Sequence, residues 1–195
     1  MRNIVKIIAV NLFLLISISS FAKDSNTFLI ETNRGNITIE VYPKKAPKTV
    51  ANFKSYVADG FYNGLIFHRV ISNFMIQGGG FDKDMMQKQT NDPIINESNN
   101  GLKNKPYTLA MARTNDPNSA TSQFFINLID NGFLNYTGKS SSKIGYCVFG
   151  SVIDGKDIVD KIGKFKTHSK NGQGDVPIKK VVIKSIKKKV VINEN

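Results

Sequence analysis

Phe67-His68-Arg69-Val70-Ile71-Ser72-Asn73-Phe74-Met75-Ile76-Gln77-Gly78-Gly79-Gly80 sets one permanent cation, Arg69, among Phe, Ile and Met. An amide and three glycines follow it. A buried, unpaired charge is costly, so a guanidinium in such a run must aim at something. The candidates are a structural carboxylate or a polar group on a ligand that docks against apolar walls, and the rest of the chain favours the ligand. Leu65 to Ile71 and Phe74 to Gln77 read as two short strands with a turn signal between them.

Outward from this stretch, the pattern is of more short strands. Thr27 to Thr32 and Ile37 to Tyr42 form two, joined at Asn33-Arg34-Gly35-Asn36, and Ile37, Ile39 and Val41 alternate with Thr38, Glu40 and Tyr42 as in a half-buried strand. Pro47 suits the first turn of a helix in which Val50, Phe53 and Val57 recur at helical spacing before Gly60 ends it. Thr108 to Ala112, Phe124 to Ile129 and Cys147 to Ile153 are further strands. A second helix fits Lys156 to Ile162 with Gly163 after it, and the last strand covers Lys180 to Ile186 or somewhat more. Many short strands with two helices predict a mostly antiparallel sheet, and closure into a barrel removes its exposed edges. Gly78 to Lys105, rich in Asn, Gln and Gly, reads as an ordered loop around the sheet. Gly78-Gly79-Gly80 lacks the Gly-Lys-Ser/Thr ending of a phosphate loop and reads as close chain packing at a strand end. There is no repeat, linker or second domain.

The 195 residues open as an export signal: Arg2 and Lys6, an apolar run from Ile7 to Ile18, then Ser20-Phe21-Ala22 as a cleavage site. The alternative, a membrane anchor, needs roughly 20 apolar residues, and this run falls well short. Residues 1–22 are therefore expected to leave, and residues 23–195 to form one domain. The single cysteine, Cys147, excludes an internal disulfide and reads as a small buried hydrophobe. His68 and His168 stand far apart in no ligand motif, so no metal site is expected, and His68 reads as a structural hydrogen-bonding residue. The net charge of +12 sits largely in Lys179, Lys180, Lys184 and Lys187-Lys188-Lys189. These lysines punctuate β-branched residues as on a solvated strand face, and with export they argue against nucleic-acid binding.

Several segments together resemble one family, the cyclophilins. Phe67-His68-Arg69-Val70-Ile71 with Phe74-Met75-Ile76-Gln77-Gly78-Gly79 resembles its first signature. Leu109-Ala110-Met111-Ala112-Arg113 with Ser119-Ala120-Thr121-Ser122-Gln123-Phe124-Phe125-Ile126 resembles the second, and Val148-Phe149-Gly150, Val152, Gly155 and Ile158-Val159 the third. Ala46 to Phe53 fits the first helix. The match spans about residues 28 to 190, and the signal peptide is most similar to the bacterial exported branch. The resemblance implies a mostly β fold: a closed eight-stranded antiparallel β-barrel capped by two α-helices, with its substrate groove on the outside. It further implies a peptidyl-prolyl cis-trans isomerase that assists folding, exported to the periplasm, without cofactor or stable membrane anchor, and monomeric. Its partners would be proline-containing polypeptides.

Rotation about a peptide C–N bond faces a barrier of roughly 18–20 kcal/mol, and X-Pro exchange takes tens to hundreds of seconds. Raising ~10⁻² s⁻¹ to ~10³ s⁻¹ needs about 7 kcal/mol of transition-state stabilisation. No bond is made or broken, so the requirement is tighter binding of a twisted amide. Arg69 suits a hydrogen bond to the proline nitrogen as it loses conjugation, or to the adjacent carbonyl. By position in the family motifs, Phe74, Met75, Phe125 and Leu134 would grip the proline ring, and Gln77 would bond the substrate and orient Arg69. Backbone groups of Ala112 and Arg113 would pair with an extended peptide, with Gln123 lining the groove. Phe133 stands where eukaryotic members carry Trp, which implies weak cyclosporin binding. Tyr146 stands in place of a groove His, and Arg113 in place of a common Asn. A chaperone or peptide-binding module, and a basic surface-interaction protein, are the alternatives from other classes.

Overall fold

The computed structural model describes residues 26–141 and 143–189. The export-signal reading of residues 1–22 lies outside them. In chain order the elements are β1 (Thr27–Thr32), β2 (Gly35–Val41), α1 (Pro47–Ala58), β3 (Leu65–Ile71), β4 (Met75–Asp82), β5 (Thr108–Met111) and β6 (Phe124–Asn127). A 3₁₀ turn at Gly132–Leu134 leads to β7 (Val148–Asp154), α2 (Lys156–Gly163), β8 (Thr167–Lys170), β9 (Gln173–Pro177) and β10 (Ile183–Lys188).

Eight strands form one antiparallel sheet in the order β10-β1-β2-β7-β5-β6-β4-β3. Its two ends meet: the Gly64 N–H donates to the Ile183 carbonyl and the Phe67 N–H to the Val181 carbonyl, each at 2.9 Å. Ile66 and Val182 form a bridge between them. The sheet is thereby a nearly closed barrel, as expected, and its interior is filled by side chains. Phe53 of α1 supplies much of the plug, with its ring 5.5 Å from Phe28 and from Phe149, and edge-on to Phe124 at 6.1 Å. Such edge contacts suit ring quadrupoles and add to the burial term.

Pro47 occupies the first turn of α1, where its missing N–H costs nothing. The Glu97 carboxylate closes the same end, accepting from the Lys48 and Thr49 N–H groups at 3.1 and 2.8 Å. That contact also pins the long connection after β4. Asparagines hold the rest of it: Asn96 donates to the Gly145 carbonyl at 3.1 Å and Asn100 to the Val148 carbonyl at 2.9 Å. The segment is an ordered loop, but it starts later than the sequence suggested.

The reason is that β4 runs through the glycines to Asp82, beyond Gln77. Gly79 has φ +86, and a Cβ there would stand 3.0 Å from the Tyr62 ring and 3.1 Å from the Ser122 carbonyl. The close packing is real, yet it lies within the strand. Similarly β6 stops at Asn127, before Ile129, and β10 starts at Ile183, after Lys180. The hairpin β8–β9 was not anticipated at all. It packs on the outer side of β3, where Ile66, Met85 and Val176 form a small apolar cluster. Covered on both faces, β3 is buried continuously from Leu65 to His68, which explains why Leu65, Ile66 and Phe67 are apolar in succession.

Candidate active site

Strand register brings the candidate residues to one patch. Arg69 of β3 pairs with Gln77 of β4, Gln77 pairs with Phe125 of β6, and Phe125 pairs with Ala110 of β5. Directly paired residues project to the same face of a sheet. Here that face is the outer one, because Met75, Ala110, Phe125, Leu134 and Val148 form an apolar cluster separate from the barrel core. Phe74, Ala112 and Tyr146 pack against this cluster.

The cluster floors a hollow of about 210 Å³ lined by Arg69, Phe74, Met75, Gln77, Ala112, Arg113, Phe125, Leu134 and Tyr146. Nine of the eleven sequence-predicted site residues therefore meet in one place. Gln123 lines a second, more open hollow of about 470 Å³, together with His68, Arg69, Gln77, Phe81, Gln173, Gly174 and Asp175. Arg69 and Gln77 form the ridge between the two. Phe133 lines neither hollow. It is 76% exposed and stacks on the back of Phe74 with ring centroids 5.7 Å apart.

Several expectations need correction. The Arg69 side chain is not buried but 41% exposed, so the premise of a wholly desolvated charge fails. It has a carboxylate neighbour as well as a ligand-sized hollow: its Nε donates to Asp175 Oδ2 at 3.4 Å. Gln77 does not orient Arg69 in this state, since its Nε2 donates to Gln123 Oε1 at 2.9 Å. The Ala112 N–H is held by the Gln123 carbonyl at 2.9 Å, which leaves only its own carbonyl for an incoming chain. Arg113 folds back, donating to the carbonyls of Ile144 at 2.6 Å and Thr114 at 2.8 Å, and lying 4.6 Å over the Tyr146 ring. Its side chain thus props the Tyr146 wall, which also meets Phe125 edge-on at 5.7 Å.

His68 is 3% exposed, packs on Phe81 at 4.7 Å and has an Nδ1 without a partner among the described residues. It is a structural residue that packs on Phe81 and hydrogen-bonds the Ile66 backbone. Burial, aided by the neighbouring Arg69 charge, lowers its pKa to about 4, so the imidazole is neutral near pH 7.

Asp175, Gln173 and Gly174 are the site neighbours the sequence reading missed. Their strands are largely exposed and show no alternation. A signal was present in Asn171-Gly172, the residue pair favoured in two-residue hairpin turns. Both adopt positive φ here, 48° and 76°.

The chain as a whole is similar to known proteins. Residues 27–188 match the family described as cyclophilin type peptidyl-prolyl cis-trans isomerase/CLD. The peptidyl-prolyl cis-trans isomerase cyp18 of Streptomyces antibioticus is 57% identical over 162 residues, covering 83% of this chain and 98% of its own. Peptidyl-prolyl cis-trans isomerase B of Escherichia coli is 57% identical over 155 residues, with coverage of 80% and 94%. Among solved structures, a cyclophilin type peptidyl-prolyl cis-trans isomerase of Cryptosporidium parvum, crystallised with the dipeptide Ala-Pro, superposes with a TM-score of 0.64. It is 30% identical and covers 87% of this chain and 99% of its own. With this barrel, this register and these relatives, the chain belongs to the cyclophilin-type peptidyl-prolyl cis-trans isomerases.

Proposed function

We propose that this chain speeds rotation about X-Pro bonds by gripping the pyrrolidine ring in the 210 Å³ hollow while Arg69 donates to the twisted imide. The observation that carries this reading is Arg69 at the edge of an apolar hollow with only its Nε engaged. Among the described residues its two terminal amino groups have no protein partner. The imide nitrogen is a poor acceptor while conjugated and a good one when pyramidal. A donor fixed beside it therefore favours the transition state over either isomer. A guanidinium keeps its charge at any working pH and directs its donors through a rigid fork. Charge-assisted hydrogen bonds contribute roughly 1.5–3 kcal/mol, so the rest of the ~7 kcal/mol must come from fixing the ring on Phe74, Met75, Phe125 and Leu134.

Proline-containing polypeptides are the substrates proposed, and the Ala-Pro dipeptide of the Cryptosporidium parvum relative supports that class. In the cell the activity would assist folding of other chains, in the periplasm, after cleavage behind Ala22. Mass measurement of the exported protein tests the location: an N-terminus at Lys23 is expected, and a cytoplasmic chain retaining Met1 overturns it.

The mechanism is tested by exchange NMR on an X-Pro peptide with wild type and Arg69→Ala. We expect kcat/KM to fall about 10–10²-fold with peptide binding and Tm little changed. Undiminished exchange would overturn the role of Arg69.

A further inference from the structure

We infer that Asp175 is a positioning residue for Arg69: the β8–β9 hairpin holds its carboxylate on the Nε edge of the guanidinium and leaves the two terminal amino groups to the proline hollow. This rests on the proposed role of Arg69.

An arginine side chain has many rotamers, and in one that is 41% exposed packing alone does not fix the guanidinium. Gln77, its pair across β4, does not select one here: it makes no hydrogen bond to Arg69, and its Nε2 donates to Gln123 instead. Among the described residues the single polar contact made by the Arg69 side chain is to Asp175, at 3.4 Å. The geometry of that contact matters. Engagement through Nε alone fixes the plane of the fork from one edge, whereas a bidentate pair would have occupied a terminal amino group as well. Arg69 also separates the two hollows, with Asp175 lining the larger and the apolar residues lining the smaller. Tether and target thus lie on opposite sides of the guanidinium.

Asp175 is itself held in place. Its backbone has φ +60, in the left-handed region that Asp and Asn tolerate best among residues with a side chain. The next residues, Val176 and Pro177, belong to the same strand, and Val176 is buried against Ile66 and Met85. A short side chain on a bent, anchored backbone is a stiffer tether than one on a free loop.

The pair is exposed on both sides, at 41% and 42%, so its worth to stability is small. Its effect should appear in turnover. Asp175→Asn keeps the size and the tolerance for positive φ while removing the charge. We expect kcat for an X-Pro peptide to fall about five- to tenfold with KM and Tm nearly unchanged. The Arg69 Nε–H resonance should lose its protection from solvent exchange. In an Arg69→Ala background the same substitution should change nothing further. Two results overturn the inference: unchanged kcat in Asp175→Asn, or an equal loss with and without Arg69, which would mark a merely structural role. If Arg69→Ala itself leaves exchange undiminished, the reading beneath the inference fails instead, and the single variants tell the two failures apart.

Discussion

His68 sits one residue from Arg69 and never meets the substrate in the proposed mechanism, yet it ties the stability of the fold to pH. Its pKa is about 4 when folded, against 6.5 for a free imidazole, because burial disfavours the cation and Arg69 repels it. Between those values the unfolded chain binds the proton and the folded one does not. Stability is therefore full above pH 6.5 and falls as the pH drops toward 4, by about 3 kcal/mol in all. Replacing His68 by Gln should flatten this slope in denaturant melts across the window; an unaltered slope would mean that carboxylates dominate it. Cys147 behaves in the opposite sense. Burial pushes its thiol up to about 11, with Thr49 Oγ1 at 3.5 Å. A thiol so protonated and enclosed is a poor nucleophile, so a maleimide should label it at pH 8 only after denaturation. Phe133, stacked behind Phe74, is a residue whose family position was legible but whose contacts were not. Phe133→Trp should tighten cyclosporin binding about tenfold by supplying an indole N–H and more area, read by titration calorimetry. No gain would show that this position does not set that affinity.

Among the elements, legibility followed burial. The boundaries of β1 and β3 match the sequence reading, while β2, marked by the alternation of Ile37, Ile39 and Val41, starts two residues earlier at Gly35. The glycine half of β4 was invisible, because glycine carries no side chain to alternate. Its reason lies in the neighbour: Gly79 and Gly80 make room for Tyr62, Ser122 and Gln123. Gly79→Ala should cost about 3 kcal/mol through both φ and crowding, measured as a lowered denaturation midpoint. A change under 0.5 kcal/mol would mean that β4 relaxes freely. The hairpin β8–β9 failed for the opposite reason, since its exposed faces leave only the Asn171-Gly172 turn as a marker. The hollow was legible because its apolar residues sit in family motifs; the tether to Arg69 was not, because one Asp in a polar stretch carries no pattern.

At the scale of the whole molecule, the barrel joins its earliest and latest strands. β1 lies between β2 and β10, and the strand after α1, β3, meets the chain just ahead of β10. These are contacts of very high sequence separation, so folding should be slow relative to helical domains of this size. Removing residues 181–189 strips Val181, Ile183 and Ile186 from the core and exposes the edges of β1 and β3. Such a chain should be protease-sensitive and lack a cooperative melt; a sharp transition would show that the other seven strands suffice. The same arrangement sets a timetable during synthesis. While the ribosome still holds residues 181–189 in its tunnel, everything upstream lacks Val181, Ile183 and Ile186 and, on that expectation, stays uncompacted. Compaction is then expected to follow the emergence of that last strand.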